Sequence, residues 1–574
     1  MRNELNKPGA AFSGMTGLFV SIAVFSFFVN LLMLVGPLYM LQVYDRVLPS
    51  RSEETLLALT LLIAALYGFM GILDYVRGRI AARIGALAQS RLDARVFDAT
   101  LRRSVLSSER SKPASGLKDL ESVQKLLGSP VLFAVFDMPW APIYLFAIFT
   151  FHPWLGYLAI AGALVLVCVT LLNQMLTRRP ELDAMSAGLA GDAFAETIRQ
   201  QGEMIQALGM RGAVLSRWQK MRKRALGSAL ASGDRVSQFA TISKTFRYFL
   251  QSAVLGLGAY LVIHGQMSAG AMIAGSILLG RSLAPVEQAI GGWPLVVRAR
   301  QGWSQLKVLL STTPEQVERT ALPRPRAIFD CVQITVFPPE QQKASLRMLD
   351  FHVRPGQALG VIGASASGKS TLARVLTGIW RPASGAVRLD GAALDHYDPD
   401  VLGSYIGYLP QDVVLFDGTV ADNIGRMQEH PDPEAIVAAA RKAGAHEMIL
   451  GLPQGYDTPV SAGGARLSGG QKQRIGLARA FYGDPVIMVL DEPNSNLDAA
   501  GQDALNLAIA QAKSEGKAVV IMAHRPAGIA ECDTILIIEN GIAKAFGPRD
   551  EVLKAHVRNY AQVAARVGAE GQTA

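Results

Sequence analysis

Six apolar runs, at residues 17–43, 55–76, 130–151, 154–175, 246–264 and 267–290, constrain this 574-residue chain more than any other feature. Each is close to the roughly 20 residues that carry a helix across a bilayer. Several contain glycine, proline or a polar side chain, which suits helices packed in a bundle better than isolated anchors. Half of the residues are hydrophobic, which points to part of the chain sitting in lipid. No A-x-A cleavage site follows the first run, which is long enough to stay in the membrane, so it reads as an anchor and not a signal peptide. Residues 1–16 form a short polar segment with no room for an accessory domain.

The net charge of +9 has two candidate explanations, nucleic acid or membrane topology, and its placement favours topology. The 77–129 connection carries Arg77, Arg79, Arg83, Arg91, Arg95, Arg102, Arg103 and Arg110. The 176–245 connection carries Arg178, Arg179, Arg217, Lys220, Arg222, Lys223 and Arg224, whereas Phe151-His-Pro153 and His264-Gly-Gln266 carry no lysine or arginine. Basic loops stay on the cytoplasmic side, so both termini are expected inside. Nucleic acid is not needed to account for the charge. Three widely spaced cysteines, Cys168, Cys331 and Cys532, form neither a disulfide framework nor a metal-ligand spacing.

Apolar residues recur at three- and four-residue spacing in 91–101 and from 193 onward. Membrane helices two to five are therefore expected to continue into the cytoplasm and to end in turns near 105–117 and 207–213. Such turns could touch a cytoplasmic domain; a solvated basic loop on lipid head groups is the alternative. A polar, proline-punctuated linker spans 311–327. The expected division is a short cytoplasmic segment (1–16), a transmembrane domain (17–310), the linker (311–327) and an α/β domain (328–574) with a parallel sheet.

That last domain holds the chemistry. Gly363-Ala364-Ser365-Ala366-Ser367-Gly368-Lys369-Ser370 fits G-x-x-x-x-G-K-[ST], with Thr371 following. An apolar strand (357–362) precedes it and a helix pattern follows, the setting in which backbone N–H groups and a helix N-terminus converge on phosphate. Lys369 would reach the β- and γ-phosphates, and the Ser370 hydroxyl would ligate Mg²⁺. A second apolar strand, 486–490, ends in Asp491 and Glu492. Asp491 is then placed beside the same Mg²⁺, and Glu492 where an attacking water needs a base. On its own, an acidic pair after a strand is more simply a strand-end cap.

Between these motifs lies Leu467-Ser468-Gly469-Gly470-Gln471-Lys-Gln-Arg474, and here the chain resembles the ATP-binding cassette (ABC) proteins. The family's order of P-loop, glutamine loop, signature, acidic strand, D-loop and histidine switch maps onto 363–370, Gln411, 467–471, 486–492, 495–498 and His524. The resemblance implies ATP as substrate with Mg²⁺, and two cassettes paired head to tail. Ser468-Gly-Gly470 of one would then close over ATP on the P-loop of the other. It also implies that Gln411 touches Mg²⁺ and water, that His524 contacts the γ-phosphate and that Asp498 links the two sites. A base-stacking aromatic is expected ahead of the P-loop; Phe337 is the candidate, with a strand-end core residue as the equal alternative.

The membrane half narrows the resemblance. Residues 37–50 (PLYMLQVYDRVLPS), 136–143 (FDMPWAPI) and 151–154 (FHPW) are similar to type I secretion ABC transporters, of the PrtD-type permease/ATPases in particular. Tyr408-Leu-Pro-Gln-Asp-Val413, 492–498 and the Pro338-Pro339 pair agree. The resemblance covers nearly the whole chain. It implies a membrane α-helical bundle of six transmembrane helices fused to an α/β P-loop domain, in a half-transporter that works as a homodimer in the bacterial inner membrane and lacks an N-terminal peptidase-like domain. The implied cargo is an unfolded protein with an uncleaved C-terminal signal, often with Gly/Asp calcium repeats. The implied partners are a periplasmic adaptor, an outer-membrane TolC-like channel and membrane lipid. An ABC exporter for lipid or glycolipid keeps the same architecture, and a non-transporting scaffold gated by nucleotide is the reading from another class.

Two departures from the family pattern stand out. Ala366 replaces a usual glycine in the P-loop, and Ala462 replaces the glutamate that couples exporters' ATPase to the opposite membrane half. Asp74, Asp137, Arg281 and Glu287 lie in or beside apolar runs, where they either line a polypeptide path or pair between helices.

Overall fold

The computed structural model of the protein describes residues 14–106, 116–316, 319–460, 467–523 and 526–556. They form two compact units, the first of residues 14–104 and 116–315, the second of residues 105–106 and 316 onward.

The first unit is all helical. Six helices are long and apolar enough to cross a membrane: Thr16–Ser50, Glu53–Val105, Pro130–Phe151, Pro153–Gln200, Arg211–Ile263 and Ala269–Gly291. Their starts follow local chemistry. His152 caps the fourth, accepting from Trp154 N at 3.3 Å, with Pro153 in the first turn. Ser268 caps the sixth, accepting from Ala271 N at 3.1 Å. The second, fourth and fifth run on as single helices of 54, 48 and 53 residues. The third does not. Its expected extension is a separate helix, Gly116–Leu127, cut off at Gly128-Ser129 by a proline in the next first turn. A short helix, Gly202–Ala207, forms the elbow between the fourth and fifth, and a further helix, Trp293–Thr312, follows the sixth.

The interior of this unit is apolar, with Tyr144, Ile148, Leu155, Leu166, Leu250, Val254, Leu279 and Leu283 at its centre. Polar ties cross it. Arg77, expected as a loop cation, is buried and paired to Asp137 at 3.0 Å and to Asp74 at 2.7 Å. Asn30 Nδ2 donates to the same Asp137 at 2.6 Å. Glu287 pairs with Arg247 at 2.7 Å. Three of the four ionisable groups flagged near the membrane are thus in interhelical or i,i+3 pairs, and Arg281 is exposed. At the opposite end of the first span, a π-helical turn (Val43–Val47) carries Asp45, which accepts from Ser268 Oγ at 2.5 Å and Gly270 N at 2.9 Å. A Cβ on Gly270 would lie 2.7 Å from that carboxylate, so only glycine permits the approach.

The second unit holds twelve strands: β1 (Phe329–Val336), β2 (Leu346–Val353), β3 (Ala358–Ile362), β4 (Ser384–Leu389), β5 (Ala392–Ala393), β6 (Ile406–Leu409), β7 (Gly418–Thr419), β8 (Pro459–Val460), β9 (Ile487–Asp491), β10 (Ala518–Ala523), β11 (Thr534–Glu539) and β12 (Ile542–Pro548). The main sheet has the order β12-β11-β3-β10-β9-β6, parallel except for β12 at its edge. Every residue of β9 and β10 is buried, which is why those strands read as continuous apolar runs. A second, antiparallel sheet, β2-β1-β4-β5, accompanies it. The parallel sheet was expected; the antiparallel one was not.

Candidate functional site

The site is built where parallel strands end. Ala523 pairs with Ile362, Met522 with Asp491, and Leu490 with Leu409. Gly363, Glu492 and Gln411 therefore leave the sheet together at the carboxyl ends of its strands, where ligands of parallel α/β sheets bind. Gln411 is exposed, two residues beyond β6.

The loop Gly363–Gly368 joins β3 to the helix Lys369–Leu376. Its ends are pressed against the second unit's own backbone. A Cβ on Gly363 would collide with Ile538 O, and one on Gly368 would lie 2.5 Å from Leu346 Cδ2 and 3.0 Å from Ser345 O. Gly368 also has φ +109°. Between them Ala366 sits at φ +63°, a left-handed conformation that disfavours any Cβ by about 1–2 kcal/mol. The substitution for glycine thus has a backbone cost, while Ala364, Ser365 and Ser367 keep ordinary angles. Leu372 N bonds Gly368 O, so the N–H groups at the start of this helix are left for an outside acceptor. Lys369 is buried and lies back over the loop, Nζ donating to Gly363 O at 2.7 Å and Ala364 O at 3.0 Å. Burial pushes its pKa down, and the nearby Glu492 and Asp491 carboxylates counter that.

Asp491 is 3% exposed. Burial pushes its carboxyl up; a hydrogen bond with the Ser370 hydroxyl pulls it back, Glu492 raises it, and Lys369 and Arg374 lower it. Its Oδ1 has no hydrogen-bond partner among the described residues. A buried carboxylate oxygen left unpaired beside a serine hydroxyl is the donor set a hard divalent cation takes, so Ser370 and Asp491 fit Mg²⁺. Glu492 follows at φ +53°, its N–H on Met522 O at 3.0 Å. Its carbonyl accepts from Ser495 N at 3.2 Å and Gln473 Nε2 at 3.2 Å. A left-handed glutamate whose backbone N–H and carbonyl are held by three hydrogen bonds, two from backbone and one from the Gln473 amide, is an over-determined, strained position of the kind found at reactive sites.

The signature forms a helix N-terminus. Ser468 Oγ accepts from Gln471 N at 3.2 Å while Gln471 Oε1 accepts from Ser468 N at 2.9 Å, a reciprocal capping box before Gly469–Phe481. Ser468 and Gly469 are exposed, and Gly470 is half-buried. The same helix reaches the D-loop. Gln473 is buried, donates to Pro493 O and accepts from Asn496 N at 3.0 Å. Arg474 pairs with Asp498 at 2.8 Å. Asp498 in turn caps Ala499–Ser514 through Gly501 N at 2.9 Å, and these bonds hold its carboxyl below the usual range. Gln473 and Arg474 went unassigned in the sequence; the signal was their position three and four residues after Gly470, on the face turned toward the acidic strand.

Phe337 is the first residue after β1 and is 44% exposed, so the core-residue alternative is wrong. The β1–β2 turn it begins is tied to the P-loop helix through Ser345, whose hydroxyl meets Thr371 Oγ1 at 3.1 Å. His524 and Ala462 lie outside the described residues. An N–H cradle with a buried lysine, a cation-ready carboxylate and a second carboxylate at the same strand ends suits hydrolysis of a phosphoanhydride by positioning and charge stabilisation.

Comparison with known proteins agrees. The family described as ABC transporter transmembrane region matches residues 19–283, and that described as ABC transporter matches residues 346–495. The chain is 44% identical over 570 residues to the type I secretion system ATP-binding protein PrsD of Rhizobium meliloti (strain 1021), covering 99% of this chain and 98% of PrsD. It is 29% identical over 544 residues to the toxin RTX-I translocation ATP-binding protein of Actinobacillus pleuropneumoniae, covering 93% of this chain and 76% of the relative. Its fold matches the structure of a bacterial Atm1-family ABC exporter with ATP bound, with a TM-score of 0.80 at 22% identity over 96% of this chain and 98% of the other.

Proposed function

Because this chain belongs to the ABC transporters of type I secretion systems, and its second unit is an ABC transport ATPase, we propose that it exports a polypeptide across the bacterial inner membrane at the expense of ATP. The observation that carries the reading is the meeting of Gly363–Ser370, Asp491–Glu492 and Gln411 at the carboxyl ends of the strands, in a chain 44% identical end to end to a type I secretion protein. Two copies form the working unit, a periplasmic adaptor and a TolC-like outer-membrane channel complete it, and both termini are cytoplasmic. The proposed domains are 17–310 in the membrane and 328–574 for the nucleotide, joined by 311–327.

In this reading the P-loop N–H groups and Lys369 hold the phosphates, and Ser468 to Gln471 of the second copy close over them from another helix N-terminus. Ser370, Gln411 and Asp491 would hold Mg²⁺, which would supply positive charge against the phosphate oxygens. Glu492 accepts the proton of the attacking water, and Asp498 ties each site to its neighbour. Phe337, exposed at the start of the turn that Ser345 ties to the P-loop helix, stacks on the base, and His524 contacts the γ-phosphate. Glu492→Gln keeps the shape and removes the base, so ATP binding persists while turnover falls by about two orders of magnitude or more. Near-normal hydrolysis by that variant would remove Glu492 from the role. ATPase stimulated by lipid, with no response to any C-terminal peptide, would favour a lipid cargo.

A further inference from the structure

Between residues 211 and 235 the chain carries seven basic residues, Arg211, Arg217, Lys220, Arg222, Lys223, Arg224 and Arg235, against a single acid, Asp234. All seven are exposed on the helix Arg211–Ile263. Arg217 lies over the Phe194 ring at 5.5 Å and Arg235 donates to Leu176 O at 3.2 Å. Among the described residues, no ion pair involves Lys220, Arg222, Lys223 or Arg224.

Positive-inside topology does not explain this group. The apolar part of the helix begins at 246, and its 18 residues to Ile263 span about 27 Å, close to one hydrocarbon thickness. Lys220–Arg224 precede it by 22 or more residues, or about 33 Å of helix. Head-group charge is screened within about 8 Å at physiological salt. Arg178 and Arg179, near the apolar part of the preceding helix, are placed for the lipid; Lys220–Arg224 are not.

The same stretch exposes apolar surface that no bilayer covers. The buried positions of the helix, Ala225 and Ser232, define the face packed within the unit. Leu226 and Leu230, on another side, are 57% and 58% exposed, and Leu215, three turns before Leu226, continues their stripe. Arg222 and Lys223 precede Leu226 by four and three residues, so cations and leucines share an outward face. A second copy brings the same excess of positive charge to such a contact. The occupant that matches is an anionic, amphipathic chain segment, its carboxylates on the cations and its apolar side chains on the leucines.

We propose that the face of Lys220, Arg222 and Lys223, with Leu226 and Leu230, is a cytoplasmic receiving site for an acidic amphipathic stretch of cargo polypeptide. The proposal rests on the polypeptide-export reading and adds the cargo chemistry that the helix selects.

The test uses the full-length protein in neutral-lipid nanodiscs and a fluorescent peptide of alternating Glu and Leu, with a Lys/Leu peptide as control. Wild type binds the acidic peptide, and affinity falls by about tenfold or more as salt is raised from about 50 to about 300 mM. The Lys220→Gln/Arg222→Gln/Lys223→Gln variant binds about tenfold or more weakly with basal ATPase unchanged, whereas Lys220→Arg/Lys223→Arg keeps wild-type affinity. Unchanged affinity in the triple variant would overturn the proposal, as would equal binding of both peptides by wild type. Displacement of the peptide by anionic lipid or RNA better than by unlabelled peptide, or dissociation of the triple variant into single chains, would assign the face to another occupant. If a C-terminal cargo peptide still alters the triple variant's ATPase, export stands and this site falls; if no polypeptide affects wild type, both fall.

Discussion

Replacing Asp491 by Asn should make the nucleotide-free protein more stable while destroying its use of Mg²⁺·ATP. In the folded second unit this carboxylate is 3% exposed, one oxygen meets the Ser370 hydroxyl and Oδ1 has no partner among the described residues. A buried polar atom without a partner costs about 1–3 kcal/mol, and more when charged. Asn keeps the shape and the acceptor for Ser370 but removes the charge, so a gain of about 1–2 kcal/mol is expected, worth about 2–8 °C for a unit of this size. Burial raises the folded-state pKa of Asp491 above its ordinary value. A folded state that holds the proton more tightly loses stability as pH rises through that raised pKa. The penalty is therefore complete above the folded pKa and vanishes as pH falls to the ordinary carboxylate range, so the advantage of Asn shrinks on acidification. Thermal unfolding of purified protein in lipid, from about pH 8 down to about pH 5, measures this. Addition of Mg²⁺·ATP should raise the wild-type transition and leave the variant's almost unmoved. A variant no more stable than wild type at the upper pH without nucleotide would refute the reasoning.

Two further substitutions probe the rest of the account. At Ala366, φ +63° predicts that glycine leaves stability within about 1 kcal/mol, because relieved strain offsets added unfolded-state freedom, whereas valine costs about 2 kcal/mol or more and weakens ATP binding in a nucleotide titration. In the membrane unit, Arg77→Leu leaves Asp137 buried and uncompensated and should cost about 3–5 kcal/mol, while Arg77→Leu/Asp137→Leu recovers much of it, as detergent-stability midpoints would show.

The nucleotide site was legible because each of its parts needs a particular residue type. Gly363 and Gly368 have no room for a Cβ, Lys369 and Ser370 open a helix, and Asp491 ends a fully buried strand. The six spans were legible from length and apolarity alone. What escaped depends on partners distant in sequence. Arg77 looked like one cytoplasmic arginine among eight, and only the fold brings it to Asp137, 60 residues away. Gln473 looked like part of a polar motif, yet its amide links the signature helix to Pro493 and Asn496. The antiparallel sheet was hidden because β1 and β4 are non-consecutive, with a register shift between Val332 and Thr335 in the pairing. The break at Gly128-Ser129 was readable from Pro130, but the surrounding apolar run masked it.

Translocation itself tests the central claim most directly. Inverted membrane vesicles containing the protein are given ATP and a labelled unfolded polypeptide ending in the C-terminal segment of a cargo encoded beside it. ATP-dependent protease protection of that polypeptide, absent with Glu492→Gln and with a scrambled C-terminus, is the predicted result. Robust ATP hydrolysis with no protected polypeptide, in vesicles that move a labelled lipid between leaflets, would contradict it.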